Sequence, residues 1–256
     1  GRSTRSFINQ GRLAEAMSEV RKGDYVFIQF GTNDQRTDTN AFMEHSVALG
    51  TPDANGIYPT VPGVKSKTPD SIYNFYKDTD YPYAETFYSY NTGTFKWYLD
   101  QYITAVRQAG GIPVLLTPAC RIFFDSNGKI TSHFGENDGY VTAVRQVAEE
   151  QKVELIDMFN ITKDLYESYG VFTTQGLHNI KEDGTVDLTH YNKFGANLIA
   201  GKMADAIKSL NLSGVSENVI VSNKEVAKTD SLKSANLVIV GGKGAAGDNE
   251  GDYRVD

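Results

Sequence analysis

Residues 187–190 read Asp-Leu-Thr-His and combine two residue types that carry out acid–base chemistry together. An aspartate three residues before a histidine in a tight loop can reach the Nδ1 side of the imidazole, fix its tautomer and stabilise the protonated ring. The histidine then acts as the general base for a serine hydroxyl, since imidazole titrates near neutral pH. The spacing is common, and taken alone it favours a structural interpretation: Asp187 caps a turn and His190 stands at the start of a helix.

A second polar segment, Gly31-Thr32-Asn33-Asp34, directly follows an apolar run. Ligands of open α/β sheets bind beyond the carboxyl ends of the strands, where the Asn33 amide can donate to a developing oxyanion. Gly, Asn and Asp are also turn residues, and by itself this segment favours a simple turn. The backbone N–H of Gly1 suits a second oxyanion donor, because glycine has no side chain to block close approach.

Strands that alternate with helices must position these residues. Short apolar runs at 25–30, 112–117 and 153–156 predict buried strands, and apolar residues at helical spacing predict helices at 12–21, 95–106, 141–148, 160–169 and 194–210. This alternation predicts a mainly parallel sheet with helices on both faces. Residues 171–186 are expected to form a loop.

Composition divides the chain into a domain, an insertion and a tail. Residues 1–212 are predicted to form one α/β domain, with an insertion at 35–91 that is expected to be an ordered surface segment. Residues 213–256 are expected to be a linker or the start of a further module, with short strands at 219–221 and 237–240. The glycine motif at 242–247 lacks the following helix that dinucleotide binding requires, so a nicotinamide cofactor is not predicted.

Charge and spacing exclude several classes of function. A net charge of −7 disfavours a nucleic-acid partner and an anionic membrane surface, but not a neutral or esterified polysaccharide. No apolar run approaches the roughly 18 residues of a membrane-spanning helix. His45, His133 and His178 lack the spacing of metal ligands, so no metal is predicted and these histidines are expected at the surface or in loops. Asp157 is expected to cap a helix, and Cys120 to be a small buried residue.

Taken together and in this order, the polar segments resemble the rhamnogalacturonan acetylesterase family within the SGNH (GDSL) hydrolases. Residues 1–13 resemble the second conserved block of that family, residues 31–34 the third, and residues 187–197 the last. Residues 116–121, Leu-Thr-Pro-Ala-Cys-Arg, resemble the Thr-Pro-x-x-Arg stretch after the next strand of the family. The resemblance covers about residues 1–210 apart from the insertion. It implies a three-layer α/β/α fold with a doubly wound, mostly parallel, flavodoxin-like sheet that lacks its first strands in this chain.

The resemblance also implies a role for each site residue. His190 is then the catalytic base, Asp187 its orienting partner, and Gly1 and Asn33 are the oxyanion donors. The nucleophile of the family is the serine of a Gly-Asp-Ser block that precedes the second block. It is therefore expected outside this chain, and the chain alone is expected to be inactive. Thr32 stands where the family usually has histidine.

The implied function is a secreted or cell-surface esterase that hydrolyses O-acetyl esters of an acetylated, pectic cell-wall polysaccharide or oligosaccharide without a cofactor. The chain would then belong to a larger protein. Two alternatives stay open: a non-catalytic carbohydrate-binding domain, which the absent serine block and Thr32 favour slightly, and a lipase or thioesterase of the same superfamily. For the esterase, His190, Asn33 and Gly1 are expected to face one pocket.

Overall fold

A computed structural model of the chain describes residues 2–36, 45–66, 89–91, 93–131 and 138–219. The predictions for Gly1, for His133, for the strand at 237–240, for the motif at 242–247 and, apart from Val219, for the strand at 219–221 lie outside the described residues. The chain forms two compact units, each considered separately below. The first unit comprises Gly1–Pro118 and Asp138–Ile156, and the second comprises Ala119–Asn137 and Asp157–Asp256. The domain boundary expected after residue 212 stays a prediction.

The first unit is built on a parallel sheet. Its elements are, in chain order, α1 (Thr4–Asn9), α2 (Arg12–Glu19), β1 (Tyr25–Gln29), β2 (Val64–Ser66), β3 (Ser89–Asn91), α3 (Phe95–Gln108), β4 (Ile112–Leu116), α4 (Gly139–Gln151) and β5 (Glu154–Ile156). Strands β1, β4 and β5 pair in parallel in that order, and the central strand buries Val114, Leu115 and Leu116. The strands predicted at 25–30, 112–117 and 153–156 and the mixed α/β fold with a parallel sheet are confirmed. Strand β1 is less buried than expected, since Ile28 is its only residue with less than a tenth of its surface exposed.

Helix α3 forms much of the core of the first unit. Phe95, Leu99, Tyr102 and Val106 recur at helical spacing, and all four are buried. The same periodicity therefore predicts both the helix and the face that it buries. Burial of each such side chain stabilises the fold by about 1.5–3 kcal/mol.

The described beginning of the insertion is not a surface segment throughout. Val47 is 3% exposed and belongs to the core cluster that α3 and α4 form. The carbonyl of Ala48 accepts a hydrogen bond from the backbone N–H of Phe95 (2.8 Å), at the start of α3. This corrects the expectation for residues 45–49, because their backbone pairs with the residues that begin a core helix.

The second unit contains α5 (Met158–Gln175), β6 (His178–Ile180), β7 (Val186–Tyr191), α6 (Lys193–Ser209) and a 3-10 turn (Ser216–Asn218). Asp157 caps α5 as predicted, because its carboxylate accepts from the backbone N–H of Asn160. Gly170, at φ 73° and ψ 172°, kinks the helix. The expected loop at 171–186 is wrong: it holds the end of α5, strand β6 and the first residue of β7.

Cys120, the single cysteine of the chain, lies in the interior of the second unit. It is 3% exposed, and its backbone N–H donates to the Thr162 hydroxyl (2.8 Å). Its prediction as a small buried residue is confirmed. Of the helices that the structure describes, none combines the length and the apolar character that crossing a membrane requires.

Candidate active site

Asp187 and His190 lie in the antiparallel hairpin of β6 and β7. Residues 187–190 stand opposite the single residue Asn179, so they form a bulge in β7. Within this bulge the Asp187 Oδ2 lies 2.8 Å from the His190 Nδ1. The structure therefore brings these two side chains together, as the Asp-x-x-His spacing predicts.

The Asp187 carboxylate also shapes the bulge. Its Oδ1 accepts hydrogen bonds from the backbone N–H groups of Thr189 (2.7 Å) and His190 (3.0 Å). Asp187 thus caps a turn, as the structural interpretation predicts, while its other oxygen binds the imidazole. The expected tight loop is in fact a bulged strand. The following helix begins at Lys193 with Asn192 as its cap, not at His190.

The hydrogen bonds at Asp187 set its protonation. Burial raises the pKa of Asp187, but the His190 ring and the backbone N–H groups of His190 and Thr189 lower it more, so the pKa lies below its ordinary value. An ionised carboxylate only accepts, so Nδ1 of His190 donates to it; in the neutral imidazole this places the lone pair on Nε2. The His190 side chain is 56% exposed and that of Asp187 21%. This arrangement fits an accessible base with a sheltered orienting partner.

Asn192 fixes the end of β7 to the preceding hairpin strand. Its Nδ2 donates to the carbonyls of Gly176 (2.8 Å) and His178 (3.2 Å), and its Oδ1 accepts from the N–H of Gly195 (2.8 Å). A side chain at Gly195 would collide with the carbonyl of Leu177. The glycine of this block therefore allows α6 to begin close to β6.

His178 is fully buried, which contradicts the expectation of a surface or loop histidine. Its ring lies against those of Tyr166 (6.0 Å between centroids) and Tyr191 (5.0 Å). Within the described residues, neither ring nitrogen makes a hydrogen bond of normal geometry. Burial lowers the pKa of His178 to about 4, although Asp187 opposes this shift. His45 is also buried, so the expectation of a surface or loop position is wrong for both His45 and His178.

In the first unit, residues 31–34 form a turn directly after β1, as their composition predicts. Gly31 adopts φ 123°, which favours glycine, and a Cβ there would lie 3.1 Å from Pro118. Asn33 is half-buried, and its backbone carbonyl accepts a hydrogen bond from the backbone N–H of Arg36 (3.1 Å). Its role as an oxyanion donor stays a prediction.

Asp34, in the same turn, has buried contacts that sequence analysis did not predict. It is 0% exposed. Its Oδ1 accepts from the backbone N–H (2.9 Å) and the hydroxyl (2.5 Å) of Thr4, and its Oδ2 accepts from the N–H of Gly31 (3.0 Å). Burial outweighs these hydrogen bonds and raises the pKa of Asp34 to about 6. No local sequence pattern predicts these hydrogen bonds, because Thr4 lies 30 residues before Asp34.

Ser3 has a structural role at the start of α1. Its hydroxyl accepts from the backbone N–H of Ser6, and the Ser6 hydroxyl accepts from the backbone N–H of Ser3. Both serines are buried. This capping box accounts for the two hydroxyls without a catalytic function. Within the described ranges, no group of three or more His, Cys, Asp or Glu side chains is placed to hold a metal ion.

Residues 1–197 match the model of a family described as GDSL-like Lipase/Acylhydrolase. The chain is 30% identical over 220 residues to the rhamnogalacturonan acetylesterase RhgT of Bacillus subtilis (strain 168), across 83% of this chain and 72% of that protein. It is 28% identical to the probable rhamnogalacturonan acetylesterase YesY of the same organism, across 86% of this chain and 78% of the relative.

A solved structure also resembles the chain. The crystal structure of protein YxiM from Bacillus subtilis is 25% identical, with a TM-score of 0.53 over 83% of this chain. The chain spans only 44% of that protein. These matches agree with the mixed α/β fold and leave the role of each site residue as a prediction.

Proposed function

From the premise that this chain belongs to the GDSL-like lipase/acylhydrolase family and is a hydrolase, we propose that it is a carbohydrate esterase that removes O-acetyl groups by serine acyl transfer. The observation that carries this proposal is the 2.8 Å contact between the Asp187 carboxylate and the His190 Nδ1. Serine acyl transfer needs a base whose second nitrogen is free to take a proton, and this contact leaves Nε2 in that state.

In the proposed reaction, His190 Nε2 accepts the proton of a serine hydroxyl as the serine oxygen attacks the acetyl carbon. The oxyanion that forms accepts hydrogen bonds from the Gly1 backbone N–H and the Asn33 amide. The C–O bond to the sugar then breaks, the leaving oxygen takes the proton from His190, and the serine is acetylated. His190 then deprotonates a water molecule, which attacks the acetyl carbon. The bond to the serine oxygen breaks, the serine takes the proton from His190, and acetate leaves. Asp187 stabilises the protonated ring in both steps.

The nucleophile is proposed to be the serine of a Gly-Asp-Ser block in a segment that precedes Gly1. The position of Ser3 supports an origin outside this chain. Its side chain is buried and completes a helix cap, so it is a poor candidate for attack on a polymer.

The proposed substrate is an acetylated polysaccharide or oligosaccharide of plant cell walls, of the pectic class. Two relatives with about 30% identity are named rhamnogalacturonan acetylesterases, which supports this class. Because such a polymer lies outside the cell, we also propose that the protein is secreted or held at the cell surface.

Two other functions stay open as alternatives to the acetylesterase. Thr32, in place of the histidine usual in the family, favours a binding domain without catalysis. The exposed apolar side chains Leu188 and Phe194, close to His190 in the sequence, favour a longer acyl group and hence a lipase or thioesterase. Rates on 4-nitrophenyl esters of increasing chain length separate the acetylesterase from the latter.

The test is hydrolysis of 4-nitrophenyl acetate, and release of acetate from acetylated pectin, by the intact protein that carries this chain. His190→Ala is expected to lower kcat by at least about 10⁴-fold, because the base is removed. Asn33→Ala is expected to lower it by about 10²–10³-fold, because one oxyanion donor is lost. The 256-residue chain alone is expected to stay at background.

Asn179→Ala is the matched control for these variants, since Asn179 lies opposite the bulge but has no proposed role. It is expected to keep the activity of the parent protein. An intact protein whose activity survives His190→Ala unchanged would refute the esterase assignment, and an inactive intact protein that still binds acetylated pectin would favour the binding domain.

A further inference from the structure

One carboxylate joins the start of α1 to the turn after β1. Asp34 accepts both polar hydrogens of Thr4 with one oxygen and the N–H of Gly31 with the other. Asp34 and Thr4 are both 0% exposed, so water does not compete for these hydrogen bonds. Two segments about 30 residues apart in the chain are thus held at a fixed distance from each other.

Each end of this link is itself fixed to the core of the first unit. The Tyr102 hydroxyl, on α3, donates to the carbonyl of Thr4 (2.8 Å). The carbonyl of Asp34 accepts from the backbone N–H of Val47 (2.9 Å), and Val47 is a core residue. Because neither end can shift without disturbing the core, the link is stiff in both directions.

On the basis of the proposed function, we propose that Asp34 is a positioning residue that holds the oxyanion donor Asn33 in place. Asn33 directly precedes Asp34. The hydrogen bonds of the Asp34 carboxylate to Thr4 and Gly31 therefore fix the turn that carries the Asn33 side chain. Oxyanion donors act only within a narrow range of distance, and a displacement of about 1 Å costs roughly 10²-fold in rate.

A neutral side chain does not replace the carboxylate at this position. Two oxygens here accept from three donors, two on Thr4 and one on Gly31. Asparagine would turn its NH₂ group toward at least one of these donors and lose that hydrogen bond. Burial also raises the pKa of Asp34 to about 6, so the ionised form destabilises the fold at neutral pH. Stability alone does not explain a carboxylate here, whereas a role in catalysis does.

The test compares three variants of the intact protein by steady-state kinetics on 4-nitrophenyl acetate. Thr4→Val removes one hydroxyl and is expected to lower kcat about 10-fold with KM unchanged. Thr4→Ser keeps the hydroxyl and is expected to retain the parent kcat. Asp34→Asn is expected to lower kcat about 10²-fold. A boronic acid that forms an anionic tetrahedral adduct with the serine is expected to lose affinity by the same factors, which a general loss of structure would not reproduce.

The outcomes separate this inference from the proposed function. Loss of activity in His190→Ala and Asn33→Ala, together with a parent-like kcat in Thr4→Val and Asp34→Asn, would overturn the positioning role alone. A rise in KM without a change in kcat would overturn it as well, since the position of an oxyanion donor acts on the transition state. Activity that survives His190→Ala and Asn33→Ala would overturn the proposed function itself. If Asp34→Asn fails to fold by circular dichroism, the pair Thr4→Val and Thr4→Ser decides.

Discussion

Asp34 in the first unit and Asp187 in the second each accept three hydrogen bonds from described residues, yet their pKa values shift in opposite directions. Asp34 is fully buried and its donors are neutral, so burial dominates and the pKa rises. The Asp187 side chain is 21% exposed, and one of its donors is an imidazole that can become positive. Hydrogen bonding alone therefore does not set the charge of a carboxylate; burial and the charge that the partner can carry decide it.

The largest expected effect tests the Asp187 side of this comparison. Asp187→Asn is expected to lower kcat of the intact protein by about 10⁴-fold, because the amide no longer selects the Nδ1-protonated tautomer or stabilises the protonated ring. The measurement is hydrolysis of 4-nitrophenyl acetate. Asp183→Asn is the matched control, since Asp183 caps the exposed turn of the same hairpin. A loss of kcat of less than 10-fold would indicate that Asp187 only caps the turn of its bulge and does not act in the reaction.

The next effect concerns His178, a buried base in the same unit as Asp187. Its pKa is about 4 in the fold against an ordinary 6.5. A lowered pKa means that the unfolded chain binds the proton more tightly, so stability is complete above pH 6.5 and falls as the pH drops toward 4. The expected loss is about 2–3 kcal/mol, and it should be absent in His178→Phe. Hydrogen exchange of the amides of α5 measures it.

Thr173→Val serves as the control for His178, because Thr173 is a buried polar residue of α5 that does not titrate. It should shift the stability of the second unit equally at every pH. A His178→Phe protein with the pH dependence of the parent would show that another group, not His178, takes up the proton.

The third effect is a pH dependence of stability opposite to that of His178, because Asp34 is a buried acid. Its pKa is about 6 in the fold against an ordinary 3.8, so its contribution to stability is present below pH 3.8 and lost as the pH rises through 6. Between pH 4 and pH 7 the free energy of unfolding of the parent should fall by about 2 kcal/mol more than that of Asp34→Asn. Fluorescence of Trp97, the single tryptophan, reports unfolding of the first unit. Equal losses in the two proteins would contradict the raised pKa.

The smallest effect is on an aspartate that only caps a helix. Asp157→Ala should destabilise the second unit by about 1 kcal/mol and leave kcat unchanged, because its carboxylate accepts from the backbone N–H and the side-chain amide of Asn160 and has no proposed role in the reaction. Urea unfolding and ester hydrolysis measure the two expectations. A marked fall in kcat would indicate that Asp157, and not only Asp187, acts in the reaction.

Local patterns predicted most of the elements and one of the site contacts. Phe95, Leu99, Tyr102 and Val106 reveal α3 because its buried face repeats within a single helix. The Asp187–His190 contact was predicted because both partners lie within four residues of each other.

Features that depend on distant partners were not predicted. The bulge of β7 exists only against β6, and the burial of His178 comes from rings on α5 and β7. The link from Asp34 to Thr4 likewise depends on tertiary packing. The expected meeting of His190 with Asn33 and Gly1 stays a prediction for the same reason: it joins segments that no local pattern relates.

Cys120 gives the second unit a built-in chemical probe. Because this thiol is 3% exposed and its neighbours on α5 surround it, a thiol-specific reagent should reach it only when that packing opens. Because the chain contains no other cysteine, the labelling rate reports on Cys120 without the removal of other thiols. Modification kinetics at increasing urea concentration would thus give the opening free energy of this region in the unaltered protein.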